Sequence, residues 1–151
     1  MPPLSAYLHV PFCTHRCGYC NFTLVSGRSD LVGPFLDAIE RELSLLGTPR
    51  PVQTLFVGGG TPTYLPVDAL ERFLRIIQYW HPLEPGGEWS VEANPLDVTP
   101  ALIAQLAAAG VTRISLGAQS FSPRKLKLLE RDHSAEQIAA DEQFKRVGDF
   151  Q

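Results

Sequence analysis

Cys13, Cys17 and Cys20 are the only cysteines in a chain of 151 residues, and they stand at C-x3-C-x2-C spacing. Such short spacing makes a poor disulfide staple, and an odd count leaves one thiol over, so metal is the better use for them. Three thiolates on one tight loop can hold three corners of an iron–sulfur cube, whereas ordinary electron-transfer clusters are held by four Cys. The iron left without a protein ligand would be open to a small molecule, as catalytic zinc sites keep one position for water or substrate. The competing use is a zinc knot completed by His9 or His15. Zinc accepts Cys3His sets, but its ligands usually come as two separated couples, and the sequence holds no second couple. On the cysteines alone both metals stay open.

Other residues carry chemistry of their own. Gly58-Gly59-Gly60-Thr61-Pro62-Thr63 lacks the Lys of a Walker loop and is not a G-x-G-x-x-G dinucleotide turn. Three glycines let backbone lie against a ligand, with amides free to hydrogen-bond its charged groups. The plainer reading is a tight turn before Pro66. Glu92, followed by Ala93-Asn94-Pro95, is either a partner for a cationic ligand group or a surface carboxylate. Gln119 offers both donor and acceptor, which suits a ribose hydroxyl or a carboxylate, or else it is simply solvated. Arg124, Lys125, Lys127 and Arg131 read as a solvated helix face, His133 as an exposed residue at a helix entry, and His9 as a structural side chain within a strand.

The elements that must position these groups alternate in type. A short buried strand is expected from Ala6 to Val10, with the cysteine loop starting at its end. Leu31, Phe35, Leu36, Ile39, Leu43 and Leu46 then fall at helical spacing, with Asp30 as a possible cap and Gly47 as the stop. A second strand over 53–57 is closed by the three glycines. Leu70, Phe73, Leu74 and Ile77 share one helical face after Pro66, and a third strand over 89–92 ends at Asn94-Pro95. Thr99 caps a helix running over 101–109 to Gly110, and a fourth strand over 113–116 ends at Gly117. Ser122-Pro123 opens another helix, and Ser134 with Gln137 forms a capping-box pattern for a last one. Four βα units in series predict an α/β fold with a parallel sheet. Right-handed crossovers put every strand's C-terminal end on one rim, where such folds bind ligands. The cysteine loop, the glycines, Glu92 with Asn94, and Gln119 all follow strands and therefore meet there.

Composition narrows the class. Hydrophobic residues make up 44% and charged residues 19%, the balance of an ordinary globular domain rather than a disordered chain. A net charge of -3 gives no general attraction to nucleic acid or anionic membranes, so nucleic-acid partners are not expected. No apolar run approaches the roughly 18 residues of a membrane span, and the N-terminus shows no secretory signal. A cytoplasmic location is the expectation, and a reducing compartment suits thiolates kept for metal.

Taken together, the motifs resemble the oxygen-independent coproporphyrinogen III oxidase-like radical S-adenosylmethionine (SAM) proteins, a family that includes the HemW-type heme chaperones. The resemblance runs through Tyr7-Leu-His-Val-Pro-Phe-Cys13, Cys17-Gly-Tyr19-Cys20-Asn-Phe22, the glycine motif at 58–63, Val91-Glu-Ala-Asn-Pro95, Ile114-Ser-Leu-Gly-Ala-Gln-Ser-Phe121 and Leu129-Glu-Arg131-Asp-His133. It implies a 4Fe-4S cluster on Cys13, Cys17 and Cys20, with SAM chelating the open iron. It further implies that Tyr7, Tyr19, Gly59, Gly60, Thr61 and Glu92 contact SAM, with Gln119 and Arg131 at positions that contact a SAM molecule, a second one in the true oxidases. The chemistry implied is one-electron reduction of SAM to methionine and a 5'-deoxyadenosyl radical, the protein placing the cofactors and excluding side reactions.

Two departures from the family pattern sharpen the expectation. The true oxidases resemble C-x3-C-x2-C-x-C, and here Phe22 stands where the further Cys would be. That favours the HemW-type branch, with heme or porphyrin as cargo and heme-acceptor proteins as partners, over oxidative decarboxylation of coproporphyrinogen. The family core is a partial barrel of six βα units followed by a C-terminal domain, whereas residues 1–151 supply about four units. The chain is therefore read as the N-terminal part of a radical SAM core, with 143–151 leading towards a fifth strand. Weak SAM binding, little turnover and self-association through an open edge are expected of such a piece.

Overall fold

The computed structural model describes residues 4–131 and 133–134. Four parallel strands form the main sheet: β1 (Ser5–Val10), β4 (Val52–Gly59), β5 (Leu83–Ala93) and β6 (Arg113–Leu116), in the order β1-β4-β5-β6. Between β1 and β4 the chain makes a short parallel pair, β2 (Phe12–Cys13) with β3 (Val25–Ser26), then helix α1 (Val32–Ser44). Helices α2 (Val67–Trp80) and α3 (Pro100–Ala108) connect β4 to β5 and β5 to β6, and α4 (Pro123–Leu128) follows β6. The strand order never reverses. With right-handed crossovers, a sheet that grows in one direction carries its helices on one face, which is the arc of a βα barrel and not a doubly wound sheet.

The register shows which face those helices cover. Leu8 pairs with Val57, Val57 with Val91 and Val91 with Ile114, so one apolar row crosses all four strands. Each member of that row is buried. Phe73 and Ile77 of α2 are fully buried against this core, with Leu36 of α1 and Leu106 of α3 alongside. The opposite face carries the alternate residues, among them Tyr7 paired with Phe56, His9 with Gly58, and Glu92 with Ser115. Polar groups on that face at the C-terminal strand ends are what a ligand on the rim would meet.

Most expected elements are present, with differences that have local causes. Asp30 does not cap α1; it pairs with Arg28 at 2.7 Å, and a 3-10 turn over Ser29–Leu31 leads into the helix instead. β4 runs on through Gly59 because the glycines continue pairing with β1, Val10 lying opposite Gly59. β5 begins at Leu83, six residues before Trp89, since Leu83 pairs with Val52 ahead of a register shift. Thr99 caps α3 as expected, its Oγ1 accepting from the Leu102 N–H at 3.2 Å, and Gly110 takes a φ of 88°. Ser122 opens α4 without a side-chain bond. The capping box at 134–137 and the approach to a fifth strand at 143–151 fall outside the described residues. No helix among the described residues is long and apolar enough to cross a membrane.

Candidate functional site

One cavity of about 450 Å³ lies at the C-terminal ends of the strands. Cys13, Cys17, Cys20 and Tyr19 reach it from the cysteine loop, Gly59, Gly60 and Thr61 from the end of β4, Glu92 from β5, and Gln119 and Arg131 from beyond β6. Every residue singled out for a cofactor therefore lines it except Tyr7. That side chain lies on β1, 57% exposed, stacked on Phe56 and hydrogen-bonded to His9 Nδ1 at 3.2 Å. His9 also donates from Nε2 to the Thr23 carbonyl at 2.8 Å, so it ties β1 to the far end of the cysteine loop, a structural task.

Phe12 anchors the cysteine loop. It is 2% exposed, edge-on to Phe35 and stacked on Tyr64, and it fixes where the chain emerges as Cys13. The Cys13 thiol shares a hydrogen bond with Thr61 Oγ1 at 3.4 Å. Burial pushes that thiol above its ordinary value, with the Thr61 bond opposing, so metal binding at Cys13 must release a proton. Cys17 and Cys20 close a turn through the Cys20 N–H and the Cys17 carbonyl at 3.0 Å. Burial likewise raises Tyr19, against the influence of the Arg131 guanidinium. Among the described residues no three His, Cys, Asp or Glu side chains gather where one metal ion could sit.

The glycine motif works differently from its sequence reading. Its amides are not free for a ligand: Gly59 N–H donates to Glu92 Oε2 at 3.0 Å, Gly60 N–H to the Val10 carbonyl and Thr61 N–H to the Phe12 carbonyl. Gly59 has a φ of 113°, and a methyl there would run into the His9 ring. The glycines are needed because β4 packs against its neighbours at a spacing that admits no side chain. The same bond orients the carboxylate of Glu92, which lines the cavity.

Two further expectations are corrected. Arg131 is not on a solvated helix face: its guanidinium bonds the Gly117 carbonyl and lies 3.7 Å from Cys17 Sγ, and its buried Nε has no partner among the described residues. An unpaired buried donor lining a cavity suits an anionic ligand group. His133 is not exposed either; it is 4% accessible and bonds the Ala118 carbonyl at 2.8 Å. Those two bonds fix the turn after β6 and with it Gln119, which sits at a φ of 63°. Sequence reasoning assigned no role to Ser115, Leu24 or Thr14, which also line the cavity, and no spacing in the sequence marks them.

A parallel βα arc with three cysteines and four strand ends sharing one cavity defines a class, and the chain belongs to the radical SAM superfamily, whose pattern it matches over residues 7–148. Membership implies a 4Fe-4S cluster and SAM as cofactors. The chain is 44% identical over 145 residues to the heme chaperone HemW of Mycobacterium tuberculosis strain H37Rv, covering 91% of this chain and 37% of that one. It is 37% identical over 142 residues to HemW of Escherichia coli K12, again covering 91% and 37%. Among solved structures it superposes on the Escherichia coli coproporphyrinogen III oxidase HemN, a radical SAM enzyme, with a TM-score of 0.80 and 31% identity over 92% of this chain and 33% of that one. The chain thus spans about a third of the length of the relatives it matches.

Proposed function

We propose that this chain forms part of the radical SAM core of a HemW-type heme-handling protein, with Cys13, Cys17 and Cys20 as the cluster ligands and SAM held across Tyr19, Gly59, Gly60, Thr61, Glu92, Gln119 and Arg131. The observation that carries the reading is the meeting of three thiols with four strand ends at one cavity, where no fourth cysteine is available to close the cluster. When bound, the cluster supplies the single electron that reduces SAM. Glu92, oriented by Gly59, pairs with the SAM amino group, and Arg131 with its carboxylate through the donor the fold leaves unmatched. Thr61 steadies Cys13. Tyr7, which the resemblance places at SAM, is linked to the site through its hydrogen bond to His9.

A cytoplasmic setting fits three thiols kept for metal, since thiols stay reduced there. Heme is the proposed cargo and heme-acceptor proteins the proposed partners, on the strength of the likeness to HemW and of Phe22, which is 64% exposed at the cavity where the oxidases would have a further Cys. The superposition on HemN favours a second reading, oxidative decarboxylation of coproporphyrinogen.

Two measurements test these readings. Anaerobic reconstitution with iron and sulfide should load about four irons and give a paramagnetic reduced cluster, lost when Cys17 is replaced by Ala; one tight zinc and no iron would sink the assignment. A form of the chain extended to the length of its relatives should bind heme and leave coproporphyrinogen unchanged. Anaerobic formation of protoporphyrinogen would replace the chaperone reading with the oxidase one.

A further inference from the structure

We infer that Glu130 is a positioning residue that clasps the turn between Cys17 and Cys20 into its metal-binding shape, an inference that rests on the cluster reading above. Glu130 and Gln119 are the only non-glycine residues at positive φ among the described residues, Glu130 at 53°. That conformation closes the C-terminal turn of α4, with the Glu130 N–H on the Lys127 carbonyl and the Arg131 N–H on the Leu126 carbonyl. The turn also brings Glu130 against a segment 112 residues away. The Glu130 carboxylate accepts from the Gly18 N–H at 2.9 Å, and the Glu130 carbonyl lies 3.3 Å from His15 Nε2.

Gly18 is the first central residue of the turn closed by Cys17 and Cys20, and that closure uses the Cys20 N–H, not its own. Without Glu130 the Gly18 amide has no acceptor among the described residues. The fit is close as well: a side chain at Gly18 would press on both carboxylate oxygens at 3.3 Å. The next residues continue the clasp, Arg131 to Cys17 Sγ and the Gly117 carbonyl, His133 to the Ala118 carbonyl. The segment after α4 therefore joins the cysteine turn on one side to the end of β6 on the other.

A loop that must present three thiolates together loses less freedom on binding metal if its turn is already ordered. Glu130 supplies that order through a charge-assisted bond to backbone, as partners outside the ligand set commonly do in metal sites. The carboxylate touches no cofactor in this role.

The test compares Glu130→Gly, which suits the left-handed backbone but removes the acceptor, with Glu130→Gln, which keeps an acceptor oxygen. In the metal-free protein, Gly18 amide exchange followed by NMR should quicken about tenfold in Glu130→Gly and stay near wild type in Glu130→Gln. After anaerobic reconstitution, iron loss to a chelator should be about tenfold faster in Glu130→Gly, with Glu130→Gln again close to wild type. Unchanged Gly18 exchange in Glu130→Gly, or equal loss of iron from both variants, overturns the clasp. If wild type takes up no iron, the cluster reading falls, and Gly18 exchange alone still decides the clasp: faster in Glu130→Gly supports it, equal rates overturn it.

Discussion

Asp97 is half-buried in the loop after β5, and its carboxyl accepts a hydrogen bond from Thr63 Oγ1 at 2.7 Å, which in turn accepts from the Asn94 N–H. That short chain ties the end of the glycine motif, just after Thr61, to the loop just after Glu92. Burial raises the Asp97 carboxyl above its usual 3.8, and the Thr63 bond offsets part of the rise. The folded protein therefore holds this proton to higher pH than the unfolded chain does. Stability contributed by Asp97 falls as pH rises from about its ordinary value through the raised one, and is level above that. Asp97→Asn keeps an acceptor for Thr63 and removes the titration. Its melting temperature relative to wild type should climb between about pH 4 and pH 7; a difference that stays constant with pH would show that Asp97 ionises in the fold at no extra cost.

At the scale of elements, α3 is the most dependent on its ends. It has nine residues and buries only Leu106 fully, so packing holds it less firmly than α2, which buries five. Its first turn relies on Thr99 Oγ1 and on Pro100 at the position where a missing N–H costs nothing. Thr99→Ala should lower unfolding free energy by about 1 kcal/mol in urea denaturation, with Thr99→Ser close to neutral. The surface ion pairs joining α1 and α2, Arg72 with Asp37 and Glu40 at 2.8 and 2.7 Å, are exposed and salt-screened. Replacing Arg72 by Ala should change stability by less than about 1 kcal/mol, and less still in high salt.

Across the whole molecule, Phe12 couples the core to the site. It packs between Phe35 of α1 and Tyr64 after β4 and precedes the first cysteine. Phe12→Ala should cost about 3–5 kcal/mol, a large part of the roughly 5–15 kcal/mol by which a domain is stable. Iron uptake should fall with it, because Cys13 loses its fixed point of emergence. Phe12→Leu should keep most of both. A Phe12→Ala protein that unfolds earlier yet loads iron as wild type does would show that the loop is ordered without the core. The sheet ends at β6, which has no further strand beside it among the described residues.

The local elements were legible in the sequence because each is set by short-range physics: helical spacing of Leu70, Phe73, Leu74 and Ile77, the Thr99 cap with Pro100, the four-residue strand before Gly117. The alternation of strand and helix was enough to place the strand ends, and hence the cysteines, glycines, Glu92 and Gln119, on one rim. What sequence could not decide were the partners of polar groups across long separations. The glycine amides looked free and are bonded to β1 and Glu92, because only the parallel register brings Val10 opposite Gly59. The resemblance puts Tyr7 at SAM, and only the fold shows that it also stacks on Phe56 and hydrogen-bonds His9. Arg131 and His133 read as surface residues, since a helix end gives no sign that the chain beyond it turns back under β6. Periodicity and capping depend on neighbours a few residues away, whereas these bonds join residues that meet only after the sheet has assembled. Tertiary structure alone made that choice.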